Sequence, residues 1–254
     1  MSKIFLSVVV PCFDEMANLH KGVLDKIKYF LDKKNFSYEV IIVDDGSTDG
    51  SVQFVKDFSK ENKQFKLIEN PHFGKAGAVT TGMLQAAGKF VLFTDMDQAT
   101  PIEELDNLLP YFDSGANADI VIGSRNAKRE GAPWIRAIMG PGMMFLRTVI
   151  VGLADIKDTQ CGFKIFRHDV AHTVFTKASK LHSGFHAVGG SSVTAGFDVE
   201  LLYIAREMRY KIKEVPVSWL YVETRRVSPV RDSIEGFVEL LKIRRNALTG
   251  KYKE

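Results

Sequence analysis

The first 125 residues alternate between short apolar runs and segments in which apolar residues recur at helical spacing. The runs are Ile4–Val10, Tyr38–Val43, Phe65–Glu69, Phe90–Thr94 and Ile120–Ile122. Their content of Val, Ile and Phe is typical of parallel strands buried on both faces. Between the first two runs, Leu19, Val23 and Ile27 lie four positions apart, as on one face of a helix. This alternation predicts an α/β fold with a doubly wound, mostly parallel sheet flanked by helices.

The pattern changes after the fifth predicted strand. It predicts a long apolar helix at Trp134–Leu153, a short strand at Phe163–Phe166, a helix at Phe197–Met208 and an extended segment at Ile212–Tyr221. The stretch Leu181–Gly196 is rich in Ser, Gly and His, which indicates a loop.

The last predicted helix, Val230–Leu248, is amphipathic with a basic face. Its apolar positions are Ile234, Phe237, Val238, Leu241 and Ile243, and its basic positions are Arg231, Lys242, Arg244 and Arg245. The chain has a net charge of +3, but 12 basic and 7 acidic residues lie from Arg206 to the C-terminus. This local excess indicates either an anionic partner surface or a solvated helix face. It is the only feature that favours a nucleic-acid partner, and we expect none.

Composition indicates an ordinary globular protein, with 45% apolar and 26% charged residues in 254. Two cysteines without a CxxC pair argue against a disulfide framework or a structural zinc site and fit a reducing compartment. The N-terminus lacks the pattern of a secretory signal, so we expect a cytoplasmic protein. The longest apolar stretch, Ala137–Ala154, contains Arg147 and a Gly-Pro-Gly break, so no spanning helix is predicted.

Acidic residues follow three of the predicted strands. Phe13-Asp14-Glu15 comes after the first, Asp44-Asp45-Gly46-Ser47 after the second and Asp95-Met96-Asp97 after the fourth. Ligands of open parallel sheets bind at the carboxyl ends of the strands, so we expect these side chains at one edge. A GxGxxG turn and a P-loop are both absent from the sequence, which argues against a dinucleotide site and against a P-loop nucleotide site.

Asp95 and Asp97 suit Mg²⁺ or Mn²⁺, which take one or two protein carboxylates and complete their shell with water and phosphate. The alternative is that both aspartates cap the helix predicted near Pro101. Ser47 is expected to cap the next helix, with Gly46 in a tight turn. Asp44 and Asp45 exceed what a cap requires, and they can accept hydrogen bonds from a nucleoside.

Eight segments, in this order, carry a family resemblance. They are VVVPCFDE (8–15), EVIIVDDGSTDGS (39–51), GKAGAV (74–79), DMDQAT (95–100), GSR (123–125), DTQCGFKIF (158–166), FDVELL (197–202) and EVPVSW (214–219). Together they resemble family 2 glycosyltransferases of the GT-A fold, most of all the dolichyl-phosphate β-glucosyltransferases and their bacterial polyprenyl-phosphate relatives. The resemblance covers about residues 4–250. It implies a single domain over 1–254, with a nucleotide-sugar half (1–123), an acceptor half (124–229) and a basic C-terminal helix (230–254).

The resemblance also assigns the donor site. Its nucleoside-binding residues are Pro11, Phe13, Glu15, Asp44 and Asp45, and Asp95-Met96-Asp97 is the stretch that holds Mg²⁺ or Mn²⁺ on the donor diphosphate. Family members usually have Tyr and Asn where this chain has Phe13 and Asp14. The mannosyl branch has a metal-binding Gln where this chain has Ala99. The resemblance therefore favours UDP-glucose over GDP-mannose.

The implied reaction is inverting transfer of a hexose from the nucleotide sugar to a polyprenyl phosphate, either dolichyl or undecaprenyl. Lys75 is expected to face the leaving diphosphate as a point charge. The cations expected to hold the anionic acceptor are Arg125, Arg136, Lys164 and Arg226. Asp158 either lines the position of attack or caps a turn.

The lipid acceptor suggests peripheral contact with the inner, cytoplasmic face of a membrane, through the predicted helix Trp134–Leu153 and the basic C-terminal helix. The alternatives are a core helix, a solvated surface helix or a homo-oligomer contact. His172, His182 and His186 lack the spacing of a metal site. Two rival classes remain: a nucleotidyltransferase, which would need a Gly-rich phosphate loop after the first strand, and a scaffold without catalysis.

Overall fold

The computed structural model describes residues 4–113, 115–125, 146–182, 196–220 and 229–252, and for residues 229–235 it describes the backbone alone. Arg136, Arg226 and His186 lie outside the described residues, as do most of the predicted helix Trp134–Leu153 and of the predicted loop Leu181–Gly196. Residues 146–151, at the end of that predicted helix, are helical.

The described strands form one seven-stranded sheet of order β3-β2-β1-β4-β6-β5-β7. They are β1 (Leu6–Cys12), β2 (Tyr38–Asp44), β3 (Phe65–Glu69), β4 (Phe90–Thr94), β5 (Ile120–Ser124), β6 (Phe163–Arg167) and β7 (Ile212–Pro216). β6 is antiparallel to both of its neighbours, and the other pairs are parallel. This confirms the predicted mostly parallel sheet. The predicted extended segment Ile212–Tyr221 contains β7, which ends at Pro216, and Tyr221 lies outside the described residues.

Helices cover both faces of the sheet. They are α1 (Met16–His20), α2 (Val23–Asp32), α3 (Ser51–Glu61), α4 (Gly74–Gln85), α5 (Leu105–Leu108), α6 (Pro110–Asp113), α7 (His168–Leu181), α8 (Phe197–Glu207) and α9 (Pro229–Leu248). The helix predicted from Leu19, Val23 and Ile27 is divided in two, because Gly22 adopts a left-handed conformation (φ 73°). Helix α7 was not among the predicted elements, although Val170, Val174 and Ala178 recur at helical spacing.

Alternate residues of each central strand enter two separate cores. Val9, Ile41 and Phe93 belong to the core beneath α4, α7, α8 and α9, while Val8 and Val40 belong to the core on the opposite face. This two-sided burial explains why the strands are apolar at nearly every position. Among the described residues, no helix combines the length and the apolarity needed to cross a bilayer.

Candidate active site

The loops after β1 and β2 are joined by hydrogen bonds. Cys12 is paired with Asp44 in the parallel ladder, so both strands end at the same edge of the sheet. The Thr48 N–H donates to Asp14 Oδ1 (2.8 Å), and the Asp14 N–H donates to Ser47 Oγ (2.9 Å). Ser47 therefore braces the first loop and does not cap α3, which begins at Ser51 after Gly50. The prediction that Ser47 caps this helix is wrong.

The two carboxylate oxygens of Asp44 differ in their hydrogen bonds. Its Oδ2 accepts the N–H groups of Gly46 (2.9 Å) and Ser47 (3.0 Å). Its Oδ1 is buried, and the residue as a whole is only 2% exposed. This oxygen nevertheless has no hydrogen-bond partner in the described part of the chain. A buried acceptor without a donor costs free energy, so this oxygen marks a place for a donor from a ligand.

Asp45, which the sequence predicts to contact the nucleoside, has both carboxylate oxygens engaged by the protein. It accepts the N–H groups of Phe73 (2.8 Å) and Gly74 (2.7 Å), and His72 Nδ1 lies 2.8 Å from its Oδ2. Burial raises the pKa of Asp45, and these bonds only partly offset the effect. Both carboxylate oxygens thus hold the loop that leads into α4.

Asp95 and Asp97 follow β4 at the same edge. Asp95 Oδ1 forms an ion pair of 2.5 Å with Lys75 Nζ, and Asp97 Oδ1 accepts the Ala99 N–H (3.0 Å). Burial and the neighbouring charge of Asp95 raise the pKa of Asp97. Neither aspartate caps the short 3₁₀ turn Ile102–Glu104, whose N-terminus has no side-chain cap. The capping alternative is therefore wrong.

The carboxylates of Asp95 and Asp97 fit a hard divalent cation. They repel each other, and a bound positive charge would offset this repulsion. In the part of the chain that the structure describes, no group of three or more His, Cys, Asp or Glu side chains could complete a metal shell. Met96, expected in the binding stretch, is 2% exposed and packs in the core. Its side chain contributes packing at this position.

Lys75 is the second residue of α4 and lies among carboxylates. Burial lowers the pKa of Lys75, but the charges of Asp95, Asp198 and Asp97 raise it above the ordinary lysine value. The ammonium group is therefore charged and stands at a helix N-terminus, an arrangement suited to a diphosphate.

Arg125 and Asp158 form a bidentate pair. Arg125 Nε donates to Asp158 Oδ2 (2.7 Å), and Arg125 Nη2 donates to Oδ1 (2.8 Å). The Asp158 N–H in turn donates to Glu214 Oε1 (2.7 Å). Burial raises the pKa of Asp158, but the bonds and charge of Arg125 lower it to about 2. The carboxylate accordingly orients Arg125, and its low basicity does not suit proton abstraction.

Lys164, which the sequence predicts to bind the acceptor phosphate, is fully buried. Its Nζ donates to Cys161 O (2.6 Å) and to Asp198 Oδ1 (2.5 Å). Asp198 was not among the predicted site residues. Its charge raises the pKa of both Lys75 and Arg125. An acidic residue in the first turn of the apolar helix α8 was the available signal.

The remaining predicted residues frame the site. Pro11 lies in β1, and Glu15 Oε2 accepts the Asn18 side-chain amide (2.6 Å). Phe13 stacks on His72, with ring centroids 4.4 Å apart. The guanidinium carbon of Arg125 lies 6.0 Å from the centroid of the Trp219 ring.

The sequence matches the family model described as glycosyl transferase family 2 over residues 7–175. The protein therefore belongs to glycosyl transferase family 2, and it is a glycosyltransferase.

Similar proteins include the dolichyl-phosphate beta-glucosyltransferases of three organisms. The protein of Dictyostelium discoideum is 34% identical over 100% of this chain and 78% of its own length. The protein of Saccharomyces cerevisiae is 32% identical over 99% of this chain and 78% of its own. The protein of Drosophila melanogaster is 36% identical over 88% of this chain and 69% of its own.

Solved structures of low sequence identity share the fold. Mannosyl-3-phosphoglycerate synthase from Rubrobacter xylanophilus has a TM-score of 0.63 at 14% identity, covering 99% of this chain and 76% of its own. Glucosyl-3-phosphoglycerate synthase from Mycobacterium tuberculosis has a TM-score of 0.59 at 16% identity, covering 95% and 80%. Such neighbours are GT-A glycosyltransferases, which confirms the predicted fold class.

Proposed function

We propose that the protein transfers glucose, with inversion, from UDP-glucose to a polyprenyl phosphate at the cytoplasmic face of a membrane, in a metal-dependent reaction. The names of the relatives support the sugar and the class of acceptor. The observation that carries the donor half is the edge at which Asp44 presents an unpartnered oxygen and Lys75 pairs with Asp95.

Asp95 and Asp97 are the residues proposed to hold Mg²⁺ or Mn²⁺. A divalent cation on the diphosphate stabilises the charge that develops on the leaving group. Lys75 adds a fixed positive charge in the same place, and α4 presents its N-terminus beside it. The charge of Lys75 and the N-terminus of α4 are already in position before the bond to the sugar breaks. Both therefore favour departure of the nucleoside diphosphate.

The acceptor is its own nucleophile. A phosphate monoester with a second pKa near ~6 is mostly dianionic at neutral pH, so the reaction needs little help from a general base. This agrees with Asp158, whose pKa is held near 2 by Arg125. Arg125 uses Nε and Nη2 for Asp158, and Nη1 donates no hydrogen bond among the described residues. We propose that this nitrogen binds the acceptor phosphate.

Helix α9 supports the proposed membrane contact. Leu240 and Ile243 are buried against the protein, whereas Phe237, Leu241 and Leu248 are exposed on another side of the helix. Arg244 and Arg245 are exposed as well. An apolar stripe beside arginines suits the interface of an anionic bilayer.

A donor screen tests the function. The purified protein is incubated with Mg²⁺ or Mn²⁺, a short polyprenyl phosphate in detergent, and UDP-glucose, UDP-GlcNAc, UDP-galactose or GDP-mannose. Glucosyl lipid from UDP-glucose alone, lost in Asp97→Asn and retained in the exposed Asp25→Asn, is the expected result. Product from GDP-mannose alone would contradict the proposed sugar. Nucleotide binding without product from any donor would favour a scaffold.

A further inference from the structure

His72, which no sequence motif singled out, packs against the ring expected to hold the base. The centroids of His72 and Phe13 are 4.4 Å apart, and the ring planes differ by 17°. The two residues come from different loops, after β3 and after β1, and meet across the end of β2, which lies between these strands. One of the two faces of the Phe13 ring is therefore covered by a residue nearly sixty positions away in the chain.

The imidazole of His72 is anchored to Asp45 through Nδ1. Its Nδ1 lies 2.8 Å from both the carbonyl oxygen and Oδ2 of Asp45, and both are acceptors, so Nδ1 carries the hydrogen. The flanking N–H groups of Phe73 and Gly74 donate to the same carboxylate. Gly46 packs against the base of the same side chain, since a Cβ on Gly46 would lie only 3.3 Å from the His72 Cβ.

A base cannot lie between the two rings. A centroid distance of 4.4 Å is already that of one stacked pair, and an inserted base would need about twice that separation. Since Asp45 anchors His72, opening the pair means breaking buried hydrogen bonds. The base must therefore use the other face of Phe13 or the edge of the pair.

We propose that His72 is a positioning residue for the donor nucleoside: it fixes the plane of the Phe13 ring through its stack and its bond to Asp45. This inference rests on the proposed nucleotide-sugar donor. Asp44 and Asp45 then have different roles. Asp45 anchors His72 behind the Phe13 ring, and Asp44 offers a hydrogen-bond acceptor to the base. The role of His72 is to hold the Phe13 ring so that the base binds in a defined orientation, not to take part in the chemical step.

Two substitutions separate the ring from the hydrogen bond. His72→Asn keeps an N–H donor that can reach Asp45 and removes the aromatic ring. His72→Phe keeps the ring and removes the donor. The exposed His172→Asn is the matched control. Isothermal titration with UDP and with GDP in Mg²⁺ gives the affinities, and donor kinetics give KM and kcat.

We expect His72→Asn to weaken UDP binding and raise the donor KM about three- to ten-fold with kcat nearly unchanged, as for the loss of one aromatic pair. His72→Phe should retain more affinity than His72→Asn, and His172→Asn should match the wild type. Circular dichroism confirms the fold, and His72→Phe tests the inference if His72→Asn does not fold. Wild-type affinity in His72→Asn, tighter binding in either variant, or a fall in kcat alone would overturn the inference. Failure of the wild type to bind UDP or GDP would instead refute the proposed function.

Discussion

Gly162 lies directly against Asp95: a Cβ on Gly162 would stand 2.1 Å from Asp95 Oδ2. The contact arises because β6 runs antiparallel beside β4, with Phe163 opposite Thr94. The residue before β6 therefore meets the residue after β4. Only a residue without a side chain allows the carboxylate to occupy this place beside Lys75.

We expect Gly162→Ala to displace the Asp95 carboxylate. A shift of about 1 Å in a catalytic group lowers activity by roughly 100-fold, so kcat/KM should fall on that scale while the protein still folds. Steady-state kinetics with circular dichroism measure both effects. Gly115→Ala is the matched control, because its Cβ would meet nothing within 4 Å. Equal activity of the two variants would show that the position of Asp95 does not matter.

Asp158→Asn should change the dependence of stability on pH. The pKa of Asp158 falls from 3.8 to about 2 on folding, so its stabilisation is present above pH 4 and is lost as the pH falls toward 2. At pH 7 we expect the unfolding free energy of the variant to be about 2 kcal/mol lower than that of the wild type. Below pH 2, where Asp158 is protonated, we expect this difference to vanish. Denaturant melts from pH 2 to 7, with Asp25→Asn as the control, measure this. A pH-independent difference would disprove the linkage.

Tyr252→Phe should loosen the end of the chain. Tyr252 is buried and its hydroxyl donates to Glu200 Oε1 (2.6 Å), which joins the segment after α9 to α8. Loss of a hydrogen bond to a buried carboxylate costs about 1.5–3 kcal/mol. Thermal unfolding and limited proteolysis from the C-terminus measure the effect. The same change at Tyr29, which is 67% exposed, should leave both unchanged.

His182 should make this attachment sensitive to pH. Its Nε2 lies 2.5 Å from Glu200 Oε2, and that bond, opposed by burial, raises the pKa of His182 above 6.5. Glu239 favours the charged imidazole and Lys242 opposes it. The stabilisation is thus complete below pH 6.5 and is lost as the pH rises through the folded value. We expect His182→Gln to flatten the dependence of stability on pH between 6 and 9. An unchanged slope would argue against this role.

Helix α9 should bind anionic bilayers through its exposed apolar stripe. Replacing Phe237 and Leu241 together by Ser removes two large apolar side chains from the proposed interface and leaves the buried Leu240 and Ile243 in place. We expect flotation with phosphatidylserine vesicles at low salt to fall at least ten-fold. Tyr29→Ser, on α2, is the control. Loss of a dimer in sedimentation without loss of flotation would assign the stripe to a homo-oligomer contact.

Much of the donor half of the site follows from the sequence alone. The apolar runs predict β1, β2 and β4, and the residues that come next, Asp44 and Asp95 among them, must collect at one edge because parallel strands end together. The positions of these residues depend on where each strand ends and on the direction in which it runs. The spacing of apolar residues along the sequence indicates where the strands lie.

Partners across the fold were decided by the tertiary structure. Asp158 meets Arg125 across 33 positions of the chain, and Lys164 meets Asp198 across 34. These pairs depend on β6 entering between β4 and β5 in the antiparallel sense, which periodicity does not encode. A lysine in a strand pattern points toward solvent or a ligand as readily as toward a buried carboxylate. Which of these it meets is determined only when strands and helices distant in sequence pack together and exclude water.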